Sequence, residues 1–155
     1  MPASSAVMIS PGVMAPGNSG TSLAPAAAGS KFVVSPGVTA SLISAAGASE
    51  VPLLPGAITP GEIMTALEAG IEFLKFFPAE QAGGTTFLRS LASPLAAARF
   101  CPTGGVSALN AGEYLAVPNV VCVGGSWVAP DEMIREGKWD VIESLARQAS
   151  ALKPI

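Results

Sequence analysis

The chain has 155 residues, half of them apolar and only 12% charged, with a net charge of −3 and no histidine. That length suits one domain with a real core, while the scarcity of Lys and Arg, none of them clustered, argues against a nucleic-acid partner. The missing imidazole excludes Ser-His-Asp and Cys-His catalysis and most catalytic zinc sites, leaving lysine, carboxylates, hydroxyls and backbone to carry any chemistry.

Residues 1–30 carry no charge and are dominated by Ala, Ser, Pro and Gly, so they read as a largely irregular, low-complexity segment. They lack the basic start and sustained apolar core of a secretory signal and the arginines of a transit peptide. From Lys31 onward the composition changes, and 31–155 reads as the folded domain.

Five units then recur at a spacing of about 20 residues: KFVVSPG, VPLLPG, FLKFFPAE, RFCPTGG and VVCVGGSW. The first four turn at Pro36, Pro55, Pro78 and Pro102, the fifth at Gly124. Each is a short apolar run closed by Pro or Gly and followed by a helix-like stretch. Near-continuous apolar strands alternating with helices indicate a parallel sheet covered by helices.

The helix signals follow the same order. Thr59-Pro60-Gly61-Glu62 is a capping box with proline at the first helical position, and Gly70 is its stop. The stretch between Pro78 and Arg99 is weaker, with TTFLRSLA its best helix. Ser107 is expected to start the next helix, Asp131-Glu132 open a short one that stops at Gly137, and Trp139 to Leu152 form a terminal amphipathic helix. The result is α/β, with about five βα units, too few to close an eight-stranded barrel.

In parallel α/β folds the functional loops follow the carboxyl ends of strands. The last two strands end in Thr103-Gly104-Gly105 and Gly124-Gly125-Ser126. Paired glycines let backbone amides approach an anion, and a hydroxyl adds a donor. Glycine in such turns also simply accommodates backbone geometry, and both readings stand at this point.

Lys75 is sharper. Strand alternation puts Phe73, Lys75 and Phe77 on one face and Leu74 and Phe76 on the other. A lysine there is desolvated, which lowers its pKa and makes a neutral amine accessible for attack on a carbonyl. The alternative is a lysine whose stem packs while its head snorkels or pairs with Glu72 or Glu80. Cys101 and Cys122 sit in apolar runs without metal or disulfide spacing, and read as buried thiols in a reducing, cytoplasmic setting.

Over LLPG, LKFFPAE, RFCPTGG and VCVGGSW the chain closely resembles the bacterial 2-keto-3-deoxy-6-phosphogluconate aldolases, which also handle 4-hydroxy-2-oxoglutarate. The resemblance implies a (β/α)8 TIM barrel, class I chemistry without metal or cofactor, cleavage to pyruvate and glyceraldehyde 3-phosphate, and a homotrimer. It implies Lys75 as the imine-forming residue, Phe77 beside the pyruvate moiety, Thr103 near the substrate and Pro36 in a turn lining the same mouth. Gly104, Gly105 and Ser126 would hold the phosphate.

The sequence also departs from that pattern. Two further βα units belong to the family, the second carrying a glutamate and an arginine in a stretch like LEVTLRT, and residues 1–155 contain nothing like it. Thr21, in Gly20-Thr21-Ser22, is a weak match to a motif of the third strand. Glu80 is the carboxylate best placed to act as a base, although a structural role suits it better. The alternative expectation is therefore a non-catalytic remnant that keeps the phosphate-binding half. An unrelated phosphate-binding barrel would explain the glycine turns but not KFFPAE.

Overall fold

A computed structural model of the chain describes residues 6–8, 31–48 and 51–154. Six strands are present among them: β1 (Ala6–Met8), β2 (Val33–Val34), β3 (Leu53–Leu54), β4 (Phe73–Phe76), β5 (Arg99–Pro102) and β6 (Cys122–Gly124). All five apolar runs form strands. β1 falls inside the segment read as irregular, and the rest of that segment, Thr21 included, lies outside the described residues.

Every pairing among the described strands is parallel. β2 pairs with β3, β4 with β5, and β1 with β6, while single bridges join Gly56 to Lys75, Phe100 to Val120 and Thr103 to Gly124. The strands therefore run in the spatial order β2-β3-β4-β5-β6-β1, with β1 returning to the far side of the last strand. Their short lengths fit a sheet in which the strand ends, rather than long ladders, do the positioning.

Among the described residues six helices accompany them: α1 (Ala40–Gly47), α2 (Pro60–Glu68), α3 (Gly84–Leu91), α4 (Ala111–Leu115), α5 (Asp131–Arg135) and α6 (Trp139–Ser150), with a 3-10 turn at Ser126–Val128. The capping box of α2 forms as its sequence requires. Glu62 N donates to Thr59 Oγ1 at 3.3 Å, and the Glu62 carboxylate accepts from Thr59 N at 2.8 Å and Ile58 N at 3.0 Å. Those backbone donors hold the Glu62 carboxyl below its ordinary range.

One boundary differs from expectation. α4 starts at Ala111 rather than Ser107, because side chains take the backbone groups first: Asn110 Oδ1 accepts from Ser107 N at 2.8 Å and Ser107 Oγ from Leu109 N at 3.3 Å. Local bonds of this kind compete with the helix for backbone partners. α6 ends at Ser150, two residues before Leu152.

The core lies between the strands and the helices. Leu74 and Phe76 of β4 and Phe100 of β5 are fully buried against Ile63 and Ala66 of α2 and Leu88 of α3. The Phe76 ring stacks on Phe87 at 5.9 Å and meets Phe100 edge-on at 6.1 Å. Burial of this apolar layer, worth about 25 cal/mol per Å², fixes which face of each strand is left for the interior.

Candidate active site

On β4 that interior face carries Phe73 and Lys75, with Phe77 directly after the strand beside the Lys75 amine. Phe73 and Phe77 are 55% and 39% exposed, so this face is open where the alternate face is sealed. The Lys75 backbone is pinned on the β3 side, its N donating to Pro55 O at 2.8 Å and its O accepting from Ala57 N at 3.0 Å, and Lys75 lies across from Cys101 of β5.

Its side chain is half-buried, and Nζ sits 4.5 Å from the centroid of the Phe77 ring. Neither Glu72 nor Glu80 forms an ion pair with it among the described residues. Burial holds the Lys75 ammonium below its ordinary range, with Cys101 acting in the opposite direction. The Phe77 ring under the amine favours the cation, acting in the same direction as Cys101.

Phe77 precedes Pro78 through a cis peptide and begins the loop Phe77–Glu80, which returns along the end of β5. Ala79 N donates to Thr103 O at 2.8 Å and Glu80 N to Gly104 O at 3.2 Å. The two glycines are required by this packing. Both have positive φ, +89° and +82°; a Cβ on Gly104 would lie 3.0 Å from the Phe77 ring, and one on Gly105 would overlap the Glu80 stem, 2.7 Å from its Cβ. The Thr103–Gly124 bridge then sets this turn beside Gly124-Gly125-Ser126, where Ser126 is exposed at the start of the 3-10 turn.

Thr103 Oγ1 is buried and has no hydrogen-bond partner among the described residues. Pro36 is exposed at the mouth, its carbonyl against Gly56, the residue that bridges to Lys75. Lys75, Phe77, Thr103, Gly104 and Gly105 thus form a continuous patch at the carboxyl ends of β4 and β5, with Ser126 and Pro36 on adjoining loops.

Two features were not visible in the sequence. Glu80 accepts a hydrogen bond from Tyr114 Oη of α4, a partner 34 residues away, so its carboxylate serves the loop. No local spacing signals that pair. Cys101 and Cys122 meet as free thiols on the interior face, and their interaction, together with burial, pushes the Cys101 thiol above its ordinary range. They border an apolar cavity of about 460 Å³, lined also by Leu53, Phe73 and Arg99, at the amino ends of the strands. That cavity is on the far side of Lys75 from the glycine turns. Arg99, the cation lining it, is engaged with the carbonyls of Ala96 and Ala98 at 2.8 and 3.1 Å.

Residues 5–145 match the model of the KDPG and KHG aldolase family. The chain belongs to that family. It is 46% identical over 125 residues to the 2-dehydro-3-deoxy-phosphogluconate aldolase of Dickeya dadantii and 50% identical over 122 residues to that of Pseudomonas aeruginosa. These alignments take in 81% and 79% of this chain but 59% and 56% of the relatives. The KDPG aldolase of Legionella pneumophila, solved with pyruvate captured as a covalent carbinolamine intermediate, superposes with a TM-score of 0.78 at 44% identity, covering 81% of this chain and 61% of that one. The Zymomonas mobilis enzyme with 3-phosphoglycerate gives 0.75 at 45% identity, covering 83% and 60%. The parallel arc of strands with helices on one side is accordingly of the (β/α)8-barrel type, and none of its described helices is long and apolar enough to cross a membrane.

Proposed function

We propose that the chain is a class I aldolase that cleaves 2-keto-3-deoxy-6-phosphogluconate to pyruvate and glyceraldehyde 3-phosphate through an imine on Lys75, with 4-hydroxy-2-oxoglutarate as a second substrate. The carrying observation is Lys75 itself: an amine on the open interior face, unpaired among the described residues and held below its ordinary pKa by burial. Its neutral form attacks the ketone to give a carbinolamine, and loss of water gives the imine, which accepts the electron pair released when the carbon-carbon bond breaks. The substrate hydroxyl gives up its proton as its carbon becomes the departing aldehyde, the enamine carbon takes up a proton, and water hydrolyses the imine to free pyruvate and the amine. The imine is the electron sink in this reading, so no metal or organic cofactor is invoked.

The surrounding groups fit that substrate. Phe77 packs beside the pyruvate moiety, and the unpartnered hydroxyl of Thr103 is poised to bond its polar atoms. A buried hydroxyl without a partner costs about 1–3 kcal/mol, which a ligand can recover. Gly104, Gly105 and Ser126 form the phosphate end, in keeping with the phosphoglycerate held by the Zymomonas relative, and Pro36 lines the mouth on the Gly56 side of Lys75. Residues 31–155 form the aldolase portion, to which β1 adds an edge strand. We place it in the cytoplasm as a homotrimer.

A second reading is a chain that captures the ketone but turns it over poorly. It is favoured by the engagement of Glu80, the carboxylate nearest to a base's position, with Tyr114; loss of a general base costs about 10²- to 10⁴-fold. The test is cleavage of 2-keto-3-deoxy-6-phosphogluconate followed by pyruvate release. Turnover abolished by Lys75→Ala supports the aldolase; pyruvate capture without turnover supports the second reading; neither sinks both.

A further inference from the structure

Glu80 packs on the glycine end of the proposed substrate patch. Its backbone N donates to Gly104 O, and its stem fills the space that a side chain on Gly105 would need. Three residues earlier, the loop it ends carries Phe77, whose ring lies against Gly104 on one side and under the Lys75 amine on the other. The loop backbone is also held to the end of β5, Ala79 N donating to Thr103 O at 2.8 Å, and by its own turn, Ala82 N donating to Pro78 O at 3.0 Å and Gly84 N to Ala79 O at 2.9 Å. Ala79 packs its methyl into the core, and the one side-chain hydrogen bond from this loop into the helical layer among the described residues runs from Tyr114 Oη to the Glu80 carboxylate. Tyr114 is 1% exposed and rooted in the core, whereas Glu80 is exposed.

We infer that Tyr114 is a positioning residue for the reaction: through Glu80 it locks the Phe77–Glu80 loop, and thereby sets the aromatic ring beside Lys75 and the Gly104–Gly105 turn in one fixed geometry. A hydroxyl bonded to a carboxylate is a strong and directional tie, and a small displacement of positioning groups lowers the rate of an oriented reaction steeply. The inference rests on the Lys75 reading and adds to it the element that holds the two substrate ends in register. Burial and then the Glu80 bond push the Tyr114 hydroxyl above its ordinary value.

The test uses the full chain with pyruvate and borohydride, reading the pyruvate concentration that half-saturates trapping. Tyr114→Phe is expected to raise that concentration about tenfold, as loss of one charge-assisted bond predicts. Glu80→Ala should do the same, with Glu80→Gln, which keeps an accepting oxygen, falling between it and the unaltered chain. Because Tyr114 is the chain's single tyrosine, its ionisation is read directly by near-ultraviolet absorbance, even if a variant fails to fold. In the native chain it should titrate well above the ordinary value of about 10. A tyrosine titrating at that ordinary value, or Tyr114→Phe half-saturating at the same pyruvate concentration as the unaltered chain, overturns the inference. Absence of trapping in the unaltered chain instead overturns the Lys75 reading.

Discussion

The two faces of β4 do different work with alternate residues of one short strand. Leu74 and Phe76 are fully buried in the layer between sheet and helices, where their contribution is apolar area and ring contacts. Phe73, Lys75 and Phe77 point the other way, remain partly open, and place an amine over an aromatic ring beside the glycine turns. The lesson is that the strand period of two separates a sealed apolar face from an open polar one within a few ångströms: the same ladder that seals one face holds the Lys75 amine on the other at a fixed height.

If that separation holds, the largest stability loss comes from the outward face. Phe76→Ala should destabilise the chain by about 3–5 kcal/mol, read by chemical denaturation, because it leaves a cavity among Phe87, Phe100 and the α2 side chains. A loss under about 1 kcal/mol would break the comparison. On the inward face Thr103→Val should act with the opposite sign on stability. Removing a buried, unpartnered hydroxyl leaves stability unchanged or raises it by about 1 kcal/mol, while weakening pyruvate capture about tenfold. Weakened folding with intact capture would show the hydroxyl to be structural.

The smallest effect belongs to the helical layer alone. Thr59→Ala should cost about 1 kcal/mol through the α2 cap and leave pyruvate capture untouched. The pH dependence carries a sign. The Glu62 carboxyl is held low in the folded chain, so its contribution is present above the unfolded carboxyl pKa and is lost as pH falls through the depressed folded value. The difference between the Thr59→Ala and unaltered chains should therefore shrink in acid, checked by melting curves across pH.

Much of this was legible in the sequence, because Pro and Gly punctuate the chain at the strand ends. Strands β2 to β6 and the α2 capping box follow from local pattern, and the alternation around Lys75 assigns it to a face without knowledge of the barrel. β1 was not legible, since three residues in an uncharged Ala/Ser/Pro/Gly segment become a strand only by pairing with β6, more than a hundred residues away. The start of α4 was missed because Ser107 and Asn110 favour a turn as readily as a cap. The glycine turns were ambiguous, and the structure supplies a packing reason for Gly104 and Gly105 that holds with or without a phosphate. The Glu80–Tyr114 bond depends on tertiary contact alone.

The most direct measurement is peptide mapping of the chain after borohydride reduction in the presence of pyruvate, repeated across pH. A single adduct at Lys75, absent in Lys75→Ala and forming faster as pH rises until it levels off below the ordinary lysine value of about 10.4, is the predicted result. An adduct at another lysine, none in the folded chain, or a rate still climbing past that value would contradict it.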